Sequence, residues 1–175
     1  MKIIPAVIAV ALVGCVAGRE QVEVTRTQVV TFPGVVPDAH EPSATDARAT
    51  DALVKLDMHQ DLAALRALGS LVGTFSTNSL SGPGLADVTH VRVTIATTDG
   101  ALPVRLLSEA DVPGGSRQVE LPLSMTGDQV LDYLAEGEVE VHFYITGGIP
   151  PSPIALTHTL DGRVNVAVEG SVLGL

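Results

Sequence analysis

The side chains able to do chemistry in this chain are few, so the reactions open to it are quickly bounded. Five histidines, His40, His59, His90, His142 and His158, are scattered over 175 residues. None stands four residues from another or next to a cysteine, so no zinc-binding spacing is present. Asp57, His59 and Asp61 alternate and look superficially like an acid–base set. Asp61, however, directly precedes an apolar stretch of helical period and is better placed as a helix N-cap. Glu136, Glu138 and Glu140 alternate with Gly137, Val139 and Val141, which puts them on the polar side of a strand. Carboxylates in such a row repel one another mildly and keep the face hydrated. Calcium would need an oxygen-rich loop, which the sequence lacks. His142 and His158 fall on neighbouring predicted strands, but with the register assigned below they point to opposite faces, as surface or rim histidines.

The familiar motifs are missing too. "GSLVG", residues 69–73, has its serine one place too early for a nucleophile elbow. "SGPGLAD" lacks the third glycine and the preceding strand of a dinucleotide loop. Lys55 is the only lysine after Lys2, which leaves no phosphate-loop lysine. The expectation is a non-enzymatic chain with no catalytic residue, no metal site and no cofactor. Two loops are the candidates for recognition. "STNSLSGPGLAD", residues 76–87, is polar and glycine-rich and carries Asn78, Ser79 and Leu80. "GGIPPSPI", residues 147–154, is stiffened by three prolines and is expected to offer Ile149, Pro150 and Pro151 to water. Loops at the ends of β-sandwiches often carry function.

The elements that must position these residues are mostly strands. Val22 and Val24 alternate with charged neighbours in residues 20–32, and residues 33–51, rich in Pro, Ala, Asp and Thr, read as a linker. A structureless segment of that length is uncommon inside a compact domain, so residues 20–32 either join the sandwich or form a stalk. Leu53, Leu56 and Met58 suggest a strand. Leu62, Leu65 and Leu68 form one helical face closed by Gly69. Val91, Val93 and Ile95 face one way in a strand over 88–97, Asp99–Gly100 is a turn, and residues 101–108 form the next strand. Val119, Leu121 and Leu123 alternate. Thr126 and Gln129 have the spacing of a capping box, with Val130, Leu131 and Leu134 as the apolar face and Gly137 as the stop. Val139, Val141, Phe143 and Ile145 mark the clearest strand. The last predicted feature is a hairpin of residues 154–159 and 163–173. A three-residue Leu160–Asp161–Gly162 loop puts Ile154 and Leu156 on the same face as Val166 and Val168, whereas a two-residue turn would slip the pairing by one and split that face. Seven or eight short strands with two short helices predict a mainly β fold, an antiparallel β-sandwich.

Composition narrows the partners. The chain carries a net charge of −10, which repels phosphate backbones and anionic headgroups, so nucleic acid is not an expected partner. Aromatic residues make up 3% and tryptophan is absent, which argues against a lectin-like stacking surface and leaves aliphatic side chains to build the core. The 46% apolar content would also allow an inter-sheet cavity, so the alternative to a structural or protein-binding module is a carrier of an apolar or lipid ligand.

The N-terminus sets the expected address. Lys2 is followed by an apolar run from Ile3 to Val13, interrupted only by Pro5. A bilayer-spanning helix needs about 20 apolar residues, and this run has the length of a signal-peptide core. Leu12–Val13–Gly14–Cys15 resembles the lipobox of bacterial lipoproteins. The resemblance implies cleavage before Cys15, a diacylglycerol on its thiol and acylation of the new amine, and Val16 in place of aspartate favours the outer membrane of a Gram-negative cell. Stable membrane attachment takes two acyl chains or more, which this modification supplies. The expected organisation is a signal peptide at 1–14, a lipidated tether at 15–19, a first strand and linker at 20–51, and a β-sandwich at 52–175. The expected partners are the membrane, reached through the lipid, and an envelope protein.

Overall fold

The computed structural model describes residues 20–35, 48–57, 59–67 and 70–167. Among the described residues, eight strands form two four-stranded antiparallel sheets, with the orders β1-β8-β3-β6 and β2-β7-β4-β5. The strands are β1 (Glu20–Phe32), β2 (Arg48–Asp57), β3 (Ser70–Ser81), β4 (Val88–Thr97), β5 (Arg105–Asp111), β6 (Gln118–Glu120), β7 (Glu138–Gly147) and β8 (Ile154–Ala167). Two helices, α1 (His59–Arg66) and α2 (Gly127–Glu136), and a 3-10 helix at Pro83–Asp87 complete the fold. The sandwich predicted from alternation is what forms. Val139, Val141, Phe143 and Ile145 on β7 and Val91, Val93 and Ile95 on β4 are buried, and they face Val30, Phe32, Leu80, Leu156 and Val164 of the other sheet. Aliphatic burial on this pattern holds the sheets together, since each strand hides every second residue.

The first strand belongs to the sandwich and is not a stalk. All thirteen residues of β1 pair with β8, from Glu20 opposite Val166 to Phe32 opposite Ile154. The second strand begins at Arg48, inside the segment read as a linker, and pairs with β7 from Arg48–Gly147 to Asp57–Glu138.

The C-terminal hairpin is a correction. β8 runs straight through Leu160–Asp161–Gly162 as one strand, flanked by β1 on one side and β3 on the other. Thr25 and Thr77 sit opposite Asp161, so both neighbours need an unbroken partner there. Gly162 serves a ring rather than a turn: a Cβ at that position would lie 2.5 Å from Cδ1 of Phe75. The apolar face sought by the hairpin register still exists, because Ile154, Leu156, Leu160, Val164 and Val166 share one parity along β8 and are all buried.

Other boundaries moved for local reasons. Pro103 has no N–H for a ladder, so β5 starts at Arg105 and continues to Asp111, which pairs with His90. Asp61 lies inside the first turn of α1, which starts at His59, and so is not its cap. The capping box of α2 is as expected: the Thr126 hydroxyl accepts from the Gln129 N–H, and the Gln129 side chain accepts from the Thr126 N–H at 3.0 Å. α2 packs against β3, with Leu131 beside Gly73, and Asp128 accepts a hydrogen bond from the Gly73 N–H at 2.9 Å.

Candidate functional site

The residues predicted for recognition occupy different places from those expected. Cys15 lies outside the described residues, as does His40. Asn78, Ser79 and Leu80 are not in a loop. They belong to β3, paired with β8 and β6, and are 5%, 6% and 0% exposed. The alternation of that stretch is obscured by the polar Asn78, which shares the interior face with Leu80. Ile149, expected in water, is fully buried, Pro150 is half-buried, and only Pro151 is exposed. The loop is fixed by its backbone. The Val35 N–H donates to the Pro150 carbonyl at 3.0 Å, Arg48 donates to the Ile149 carbonyl at 3.1 Å, and the Gly148 N–H donates to the Asp87 carbonyl at 2.7 Å. At Gly147 the backbone is left-handed, with φ 148°, and a Cβ would meet the Asp87 carbonyl at 2.3 Å, so the chain can turn there only with glycine.

The most organised polar feature is buried between the sheets. Gln28 of β1 lies 3.3 Å from His158 Nδ1, and His158 Nε2 lies 2.8 Å from Asn78 Oδ1. Asn78 donates to Ser108 Oγ at 2.6 Å, and Ser108 reaches the Leu121 carbonyl at 3.4 Å. An amide oxygen only accepts, so the proton of His158 is on Nε2, and Nδ1 accepts from the Gln28 amide. Every link then runs in one direction, from β1 through β8 and β3 to β5 of the opposite sheet. His158 also meets the Phe143 ring edge-on at 4.9 Å. It is a core histidine at 1% exposure, which corrects the surface reading, and burial lowers its pKa to about 4. His142 does face outward, from the other sheet.

An open cleft of about 210 Å³ reaches this chain where β6 leaves its sheet. Asn78 forms part of it, with Phe75, Ser76, Glu120 and Leu121 to Leu123 as its walls. The cleft opens at a bulge in β3 between Phe75 and Thr77. Its chemistry is mixed, and nothing in it aligns a nucleophile with a base. Nor does any trio of His, Cys, Asp or Glu suited to a metal occur among the described residues.

Two further clusters of titratable residues lie on the outer face of the β2-β7-β4-β5 sheet. His90 Nδ1 lies 2.9 Å from Asp111 and Nε2 3.1 Å from Glu109, and hydrogen bonding to Asp111 is the main cause of its raised pKa. Lys55 Nζ lies 2.9 Å from Glu138 and 3.7 Å from Glu140. Glu138 and Glu140 thus form part of a solvated strand face, as their alternation predicts, whereas Glu136 is the last residue of α2 and does not belong to that strand.

Comparison with protein-family models, with curated proteins and with solved structures finds no match to this chain. The chain of Gln28, His158 and Ser108 leaves no contiguous trace in the sequence. Its available signal was a polar residue at an apolar-parity position, as with Gln28 two residues before Val30 and His158 two residues after Leu156.

Proposed function

We propose that the protein is a lipid-anchored module of a bacterial cell envelope, held by acyl chains on Cys15, whose sandwich works by binding a protein partner without catalysis. The observation that carries the reading is the position of β1 behind the lipobox-like Leu12–Val13–Gly14–Cys15. Glu20 is already paired with Val166 in the sheet, so only residues 16–19 separate the sandwich from the modified cysteine. Four extended residues reach about 13 Å. A short tether of this kind suits a body held against a membrane.

The engagement of His158 and His90 supports a binding role over an enzymatic one. Both ring nitrogens of His158 are used inside the core, and both of His90 are held by carboxylates. Replacing Cys15 by Ser is expected to abolish incorporation of labelled palmitate in cells and to release the protein from the membrane fraction. Undiminished labelling would overturn the anchor.

A further inference from the structure

The outer face of the β2-β7-β4-β5 sheet exposes two large side chains, Leu53 and Tyr144, within an acidic border. Leu53, His142, Thr94 and Leu106 occupy one row across the four strands, and Asp51, Tyr144, Arg92 and Glu109 the next. Leu53 and Tyr144 are 46% and 41% exposed, unusual for large apolar side chains in the middle of a paired strand. The Tyr144 ring stacks on His142 at 6.1 Å and an interplanar angle of 20°, which makes one flat platform. The platform is rigid, because β7 and β4 are paired on both sides.

The border decides what can cover it. On one flank Glu138 and Glu140 share the single ammonium of Lys55. On the other, Glu109 and Asp111 share His90, and Asp51 stands beside Tyr144. Arg92 is a cation in the same row as Tyr144, but the flanks on both sides carry more carboxylates than cations. A second copy of the face would bring these carboxylates against their equivalents, and an anionic membrane surface would meet the same repulsion. Tyrosine and arginine at the centre of a patch are the residue types that dominate protein interfaces.

We infer that this face docks a protein surface with an apolar centre bordered by lysine or arginine side chains. The inference deepens the protein-binding reading and names the chemistry of the partner.

The test uses the full lipidated chain in nanodiscs of zwitterionic phosphatidylcholine and three short synthetic peptides. One alternates lysine with leucine, one lysine with serine, and one glutamate with leucine. The lysine–leucine peptide is expected to bind saturably, with NMR shift changes centred on Leu53, Leu106, His142 and Tyr144. The lysine–serine peptide should bind at least about tenfold more weakly, and the glutamate–leucine peptide not at all. The double variant Leu53→Ser, Tyr144→Ser keeps the charge, and should weaken the lysine–leucine complex by about tenfold while its thermal transition stays cooperative. Equal binding of the lysine–serine peptide would reduce the effect to bulk charge and overturn the inference. A shift map spread over the acidic surface, or concentration-dependent self-association through this face, would overturn it as well. Failure of the lysine–leucine peptide to bind, with labelling lost in Cys15→Ser as expected, rejects the docking face alone, whereas undiminished labelling in Cys15→Ser with the shift map intact rejects the anchor alone.

Discussion

Two histidines in this protein answer pH in opposite directions, and each traces to its immediate neighbours. His158 is neutral in the folded state because burial penalises its charge, with a pKa of about 4 against 6.5 when free. Its contribution is therefore present above about pH 6.5 and is lost as pH falls towards 4, and full loss corresponds to about 3 kcal/mol. His90 is the reverse case. Asp111 and Glu109 favour its imidazolium, so its stabilisation is complete below its free pKa and fades as pH rises through the higher folded value. NMR titration is expected to show His90 with a midpoint above 6.5 and His158 unchanged down to about pH 5. A His158 signal titrating near 6.5 would contradict its burial. The neighbours of His158 make a second prediction. Asn78→Ala removes the acceptor of His158 Nε2–H and the donor to Ser108 at once, and should cost about 3 kcal/mol in urea unfolding. Ser108→Ala removes only the far end of the chain and should cost about 1 kcal/mol.

At the scale of elements, β8 determines the architecture of its sheet, because β1 and β3 both pair along it. Gly162→Val tests why its centre holds a glycine. Branched carbon there collides with the Phe75 ring, and a loss of about 2 kcal/mol in thermal or urea unfolding is expected. Adding Phe75→Ala should return part of that loss, whereas a glycine needed for a turn would show no such coupling. The same position shows what alternation reveals and what it conceals. The shared face of Ile154, Leu156 and Val166 is legible in the sequence, although Val168, expected beside them, lies outside the described residues, and the Thr126–Gln129 spacing shows α2 with its cap. Both are local signals that burial or a helix terminus imposes directly. Asp161–Gly162 misled because the dipeptide is the usual mark of a hairpin, and only the two long strands beside it reveal its use as strand. From sequence alone Asn78 reads as a loop residue, because its partners, His158 and Ser108, are distant along the chain. A buried polar chain assembled from four strands leaves no contiguous pattern, so the site was less legible than the fold.

The whole molecule has two unlike ends, and the proposed anchor assigns a direction to them. Glu20, Val166 and Leu71 form one row across the β1-β8-β3 sheet, and α2 packs against Gly73 just beside it. The start of β1 therefore lies at the helical end. The other end gathers the 3-10 helix, the Pro113–Ser116 turn and the Gly148–Pro153 loop, tied together by hydrogen bonds from Gly115 to Ala86 and from Gly148 to Asp87. Fourteen residues of β8 separate the two ends, about 46 Å at 3.3 Å each. With a tether of about 13 Å, acyl chains on Cys15 would hold the helices near the bilayer and point the proline-bearing loops away. The acidic body adds no attraction of its own to anionic lipid, so this orientation depends on tether length. Fluorophores placed by Asp132→Cys on α2 and by Pro151→Cys on the far loop report it separately. In vesicles containing brominated lipid, quenching is expected at position 132 and not at 151. A flexible glycine–serine insert between Gly18 and Arg19 should weaken the quenching at 132 without altering the fold. Equal quenching at both positions would mean that the sandwich lies on its side, and quenching at 151 alone would mean that it is inverted.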